Sequence, residues 1–399
     1  MATIPDYGRL GEQRVGKAAG AWGLPDFVYQ PIEVDKGGAR REVGDRLIWV
    51  GNQIAIVQVK TRSSPGDSED RGRAWLNRHL ARANRQINGT YRTLSSPPSD
   101  LVLRSDRGVE VPWDASVVTS YCGVVVVDYD RPIRYEPHLD QLKVATIAMV
   151  ADDWELITST LISTASLLNY IMWRATVGVT ISLGHEDYLL KQVLTAETRG
   201  ERAKIDADGL IAGRWVTTTD EPSDAVFGSM SDHQYAFVVN EMIAGAAEQE
   251  REFSTFREAH EYLHIIEFLD RIPPMHRVEF GKRVIAKCQE AGRTNKAQSS
   301  LLRTVSGPLV FVAHPGPREK RVHWLRNLVL ARHTQLQDAL SGQQVTTLGV
   351  ATDPVPTAGR SHDYVLLRGQ LQLEPNERTR RDKMFGEFPG EIEMFRATD

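Results

Sequence analysis

The chain has 399 residues, with 48 Lys and Arg against 52 Asp and Glu and a net charge of -4; this leaves room for two or three domains and excludes a globally basic nucleic-acid binder. Its two cysteines, Cys122 and Cys288, are too few and too far apart for a disulfide scaffold or a thiolate zinc site, which fits a reducing cytosol. The start, MATIPDYGRLGEQ, lacks the basic and apolar regions of a signal peptide, so the expected location is cytoplasmic.

Residues 8–22, GRLGEQRVGKAAGAW, predict a helix with Leu10, Val15, Ala18, Ala19 and Trp22 on one side and a stop at Gly23 and Pro25. FVYQPIEV, 27–34, predicts a strand in which Pro31 marks an edge or a bulge. GDRLIWVGNQIAIVQVK, 44–60, predicts a hairpin, and SSPGDSEDRG, 63–72, a loop. Residues 73–94 predict a helix with a stripe of Leu76, Leu80, Ala83 and Ile87, and YCGVVVVDYD, 121–130, a buried strand. This order gives an α/β domain over residues 1–135, a small mixed sheet flanked by helices.

Residues 136–399 predict an accessory domain of mixed α and β character. Within it, 156–173 is uncharged and long enough to span a bilayer, but Thr158, Ser159, Thr160, Ser163, Thr164, Ser166 and Asn169 load it with polar groups. One buried helix, capped at Asp152 and Asp153, is the expectation, with no membrane span. Residues 198–235 read as irregular, and 254–293 as two helices split at RIPPMH. GPLVFVAHPG predicts a strand, REKRVHWLRNLVLARHTQLQDAL a helix, and VTTLGVAT and HDYVLLRGQLQL strands.

The hairpin's turn fixes which residues meet. A two-residue turn at Gly51 and Asn52 pairs Val50 with Gln53, Trp49 with Ile54 and Leu47 with Ile56, and so sets Asp45 opposite Gln58. Strand alternation puts Lys60 on that same face, where its apolar residues end.

An acid, a hairpin and a Gln-x-Lys ending resemble the PD-(D/E)xK nuclease superfamily, and the glutamine resembles the Mrr-type restriction endonucleases in particular. The stretch before Asp45, EVDKGGARREVGD, is less glycine-rich than the Mrr-type pattern. The resemblance implies a restriction-endonuclease-like core over about the first third of the chain. It implies a catalytic set of Glu12, from GEQRVGKAAGAWG, with Asp45, Gln58 and Lys60; Asp45, Gln58 and Glu12 would hold Mg²⁺ or Mn²⁺. Such a metal stabilises phosphoryl charge and activates water, and it takes hard oxygen ligands, which a carboxylate and an amide carbonyl both supply. Lys60 would position water or stabilise developing charge. The implied activity is DNA endonuclease, in restriction or anti-phage defence, with the accessory domain sensing, assembling copies or binding a defence partner.

Arg71, Arg78, Arg82 and Arg85 lie away from the apolar stripe of the 73–94 helix, and Arg62 precedes it; together they form a candidate DNA-phosphate surface. The alternatives are an inactive nucleic-acid binder of the same fold, and a zinc metalloprotease. The second rests on HEYLH, 260–264, where His260 and His264 share a helix face and Glu261 would be the base. No continuation supplies a third ligand, although Glu267 and Glu279 follow, and Tyr262, Ile265, Ile266 and Leu269 read as a packed face, so the amphipathic helix is preferred.

Overall fold

A computed structural model describes residues 7–22, 24–30, 32–36, 39–62, 68–98, 101–129, 135–137, 139–140, 142–177, 181–198, 230–249, 256–272, 274–304, 306–340, 344–354, 362–371 and 373–385. The chain is mixed α/β and divides into two compact units, Met1–Gly228 and Ser229–Asp399. The boundary expected at residue 135 therefore lies much further on.

The first unit is built on a five-stranded sheet in the order β1 (Val28–Tyr29), β4 (Arg46–Val50), β5 (Gln53–Thr61), β8 (Ser120–Asp128), β9 (Thr146–Val150). The first two pairings are antiparallel and the last two parallel. β9 lies beyond residue 135, and the sheet needs it to cover the edge of β8; this is the physical reason the expected boundary fails. The single strand expected over 27–34 is two strands, because β2 (Ile32–Lys36) leaves the sheet to pair with β3 (Ala39–Val43). Proline between them has no N–H to continue a ladder. β6 (Val102–Arg104) and β7 (Glu110–Pro112) form a small separate ribbon.

β5 and β8 are buried for six consecutive residues each, which requires cover on both faces. Helix α2 (Glu69–Ser95) covers one face with Leu76, Leu80, Ala83 and Ile87, all buried as the spacing predicts. It starts at Glu69, earlier than expected, because the Ser68 hydroxyl caps it by accepting from the Arg71 N–H. Gly123 of β8 lets this helix close in: a Cβ there would lie 2.7 Å from Ile87 Cγ2. Helix α1 (Tyr7–Trp22) meets Thr61, which alternates to the other face, and Gly11 is the residue that permits the approach.

The uncharged stretch 156–173 holds two helices, not one: α3 (Ala151–Leu161) and α4 (Thr164–Val177). Ile162 breaks the run in the left-handed region, at φ 42°, and the Ser163 hydroxyl then accepts from the Ser166 N–H to start α4. No helix among the described residues is long and apolar enough to cross a membrane. α5 (Glu186–Thr198) ends this unit's described part; Asp153 accepts from the Gly184 N–H just before it at 2.9 Å and from the Glu186 N–H at its start at 3.4 Å.

In the second unit, α6 (Met230–Gln249), α7 (Phe256–Asp270) and α8 (Pro274–Thr294) precede a four-stranded sheet, β10 (Gln298–Thr304), β11 (Gly307–Ala313), β12 (Val345–Thr352) and β13 (His362–Gly369) in that order. The split at RIPPMH is where the spacing put it. β11 and β12 are parallel, joined through α9 (Arg318–Ala339), and Leu325 and Val329 pack on Val310, Val312 and Ala351. α10 (Pro375–Phe385) closes the described chain. Arg277, fully buried, ties three helices together by donating to Asn240 Oδ1, Ile272 O and Asp270 O and Oδ1. Cys122 on β8 and Cys288 on α8 are both buried thiols, one in each unit, and burial pushes the Cys122 thiol far up.

Candidate active site

The β4–β5 hairpin has the register that its turn dictates, from Val50 opposite Gln53 to Arg46 opposite Val57. Gly44, at φ 74°, turns the chain into the strand, and the Asp45 N–H then donates to Val57 O at 3.2 Å. The Asp45 carboxylate bridges back to β5, with Oδ2 accepting from the Val59 N–H at 2.6 Å. Gln58, 2 % exposed, is held by the sheet, and Lys60 Nζ donates to Gln58 Oε1 and to Val59 O, both at 3.0 Å. The ammonium is also 3.7 Å from Asp45 Oδ2. Asp45, Gln58 and Lys60 therefore meet, as the register implies, and the Val59 carbonyl joins them.

Three oxygens of different origin, a carboxylate, an amide and a backbone carbonyl, thus surround one positive charge. Burial lowers the Lys60 pKa, Asp45 raises it, Arg82 lowers it and Glu12 raises it. Glu12 acts on the cluster through its charge from α1, where it is half-buried beside Gly11. The position of α1 is set around it. Arg14 donates to Asp128, Asp152 and Glu155, and Val15 O accepts from Trp154 Nε1 at 3.0 Å. A Cβ at Gly11 would meet Thr61 Oγ1 at 2.1 Å, so α1 can approach the end of β5 this closely only with glycine there.

Arg71, Arg78, Arg82 and Arg85 are exposed on α2, as expected. Arg62 departs from the expected phosphate surface. It is 9 % exposed, its guanidinium carbon lies 4.9 Å from the Tyr129 ring centre and 5.6 Å from that of Trp75, and Nη1 donates to the Tyr129 hydroxyl. A cation stacked on two rings and bonded to one is a packing group, with most of its surface already used. Trp75 also stacks on His79, with ring centres 4.4 Å apart. Burial lowers the pKa of His79, and Arg78, Lys60, Arg82 and Arg62 lower it further, so this histidine lies in a positive field beside the Lys60 cluster.

Sequence reasoning missed Trp75, His79 and Tyr129. The helical spacing of Trp75, His79 and Arg82 was the available signal, since all three rise on one side of α2. It also missed Arg14, whose three acidic partners are 114 to 141 residues away and leave no local pattern.

For the rival motif, α7 is helical as expected, but the side chains of His260 and Glu261 lie outside the described residues. His264 lies 3.7 Å from Glu267, and Tyr262, Ile266 and Leu269 are buried, as an amphipathic helix requires. Among the described residues, no group of three or more His, Cys, Asp or Glu side chains is arranged to hold a metal ion. Only two of the four residues in the N-terminal set are of those types, so a site built from Gln58 and a backbone carbonyl would have a different composition. No family model matches the chain, and neither a curated protein nor a solved structure matches it.

Proposed function

We propose that the first unit is a metal-dependent phosphodiesterase of PD-(D/E)xK type, acting as a DNA endonuclease. The observation that supports this reading most is the convergence of Asp45 Oδ2, Gln58 Oε1 and Val59 O on the Lys60 ammonium at the end of the β4–β5 hairpin. The oxygens form a hard donor set suited to Mg²⁺ or Mn²⁺, and they already hold a cation. Asp45, Gln58 and the Val59 carbonyl would hold the metal, with Glu12 adding charge from α1. A bound metal supplies charge stabilisation and a more acidic water. Asp45 is kept in place by the Val59 N–H, which orients its carboxylate toward β5. Lys60 offers a cation to the phosphoryl oxygens as their charge grows. The exposed arginines of α2 contribute sequence-independent attraction to the DNA backbone.

The purified protein should nick or cut plasmid DNA with Mg²⁺ or Mn²⁺, and Asp45→Ala and Lys60→Ala should each abolish cutting while DNA binding largely survives. Cutting that persists in Asp45→Ala would remove the assignment from this hairpin. The neutral Gln58 favours a second reading, a non-cutting DNA binder of the same fold; it predicts binding without cleavage under every metal condition.

A further inference from the structure

We propose that a cleft between α1 and the start of β4 binds the phosphate of a nucleotide-sized ligand. The cleft has a volume of about 580 Å³, and its lining includes Gln13, Gly16, Lys17, Gly20, Arg46 and Asp106, with Pro25 as an apolar wall. That size lies in the range of small-molecule sites, about 300–1,000 Å³, and exceeds what a lone phosphate fills.

Arg46 carries the argument. Its Nη1 donates to Asp45 O at 3.1 Å, but among the described residues its buried Nε has no hydrogen-bond partner. A buried donor without a partner is costly, and the guanidinium that carries it lines the cleft, with Nε packed against Gly16. The planar fork of arginine matches two phosphate oxygens, which Lys17 would supplement with a second positive charge.

The cleft exists because α1 has no side chains at Gly16 and Gly20, four residues apart on one helical face. A Cβ at Gly16 would come within 2.8 Å of Arg46 Nε. At Gly20 a Cβ would meet Pro25 at ordinary contact distance, 3.7 Å, so a small side chain is tolerated there. Among the described residues, Asp106 is the one carboxylate in the lining, and burial followed by the opposing pull of Arg46 and Gln30 governs its charge. With Lys17 and Arg46 present, the described part of the lining is net positive. Because Arg46 also holds the Asp45 carbonyl, a ligand here would share a guanidinium with a residue of the proposed catalytic centre. The binding itself does not depend on that centre being catalytic.

Two sources share this chemistry, a free mononucleotide and the terminal phosphate of a nucleic-acid strand. Calorimetry on the full-length protein in EDTA, with 5′-AMP, inorganic phosphate and adenosine as probes, tests the site without any metal chemistry. AMP and phosphate should bind and adenosine should not. Arg46→Gln should weaken AMP by about tenfold or more, as loss of a charged hydrogen bond does. Gly20→Leu, which fills the cleft while improving helix propensity, should weaken it at least as much. Fluorescence anisotropy with oligonucleotides bearing a 5′-phosphate or a 5′-hydroxyl separates the sources. Preference for the phosphate, lost in both variants, identifies a strand terminus; AMP binding without that preference identifies a free nucleotide. Failure of AMP, phosphate and the end-phosphate to register in the wild type, or effects that persist unchanged in Gly20→Leu, would overturn the proposal.

Discussion

At the scale of single residues, Gln58 gives the sharpest chemical test of the proposed centre. Its amide is buried and already bonded to a cation through Oε1. Gln58→Glu keeps that oxygen and adds a charge, so Mn²⁺ affinity followed by titration should rise or hold, and Gln58→Ala should reduce it. Equal affinity in all three proteins would show that Gln58 serves the fold alone. Asp153 makes a different prediction, about pH. Burial pushes its pKa up from 3.8 to about 6, against the pull of the Gly184 N–H. A carboxyl whose folded value is raised favours the folded state below its unfolded value and loses that contribution as pH climbs through the folded one. Stability of the first unit should therefore fall between about pH 4 and pH 6 from this residue. Asp153→Asn should flatten that slope in urea midpoints measured across the range, and an unchanged slope would assign it to other groups.

At the scale of elements, α2 separates two roles on one helix. Leu76, Leu80, Ala83 and Ile87 pack on the sheet, and Arg78 and Arg82 stand in solvent, Arg82 close enough to Lys60 to lower its pKa. Arg78→Glu with Arg82→Glu should leave the melting temperature nearly unchanged, since neither side chain is buried, and should weaken DNA binding across sequences with a shallower salt dependence. Binding by filter retention that keeps its salt slope would clear this face of the role. The hairpin and α2 were legible from sequence because each depends on a local rule, a two-residue turn in one case and a helical stripe in the other. The same holds for the split of α7 from α8 and for strands β11 and β12. Asp45, Gln58 and Lys60 were found together because register is local too. Burial of Arg62 was not legible, since its two ring partners come from α2 and from the end of β8. β9 escaped because five residues, TIAMV, carry little signal until β8 needs an edge partner. The break at Ile162 escaped because a β-branched residue in the left-handed region is a rare choice, and no pattern announces it.

At the scale of the whole molecule, the chain is two units, each with its own sheet and its own buried core. The proposed centre and the Arg46 cleft both belong to the first. The second holds its helices with the Arg277 lock and its sheet with the β11–α9–β12 crossover, and the rival HEYLH motif sits there on α7. Each unit also encloses one thiol, Cys122 at 1 % exposure in the first and Cys288 at 4 % in the second. A sulfhydryl sealed in a core meets an alkylating reagent only when the surrounding structure opens. The wild-type protein thus contains two chemical clocks without any engineered label. Under increasing denaturant, peptide-resolved mass spectrometry of iodoacetamide capture should time the opening of each unit separately. Two distinct capture rates mean that the units open independently, whereas a single shared rate means that they open as one cooperative body.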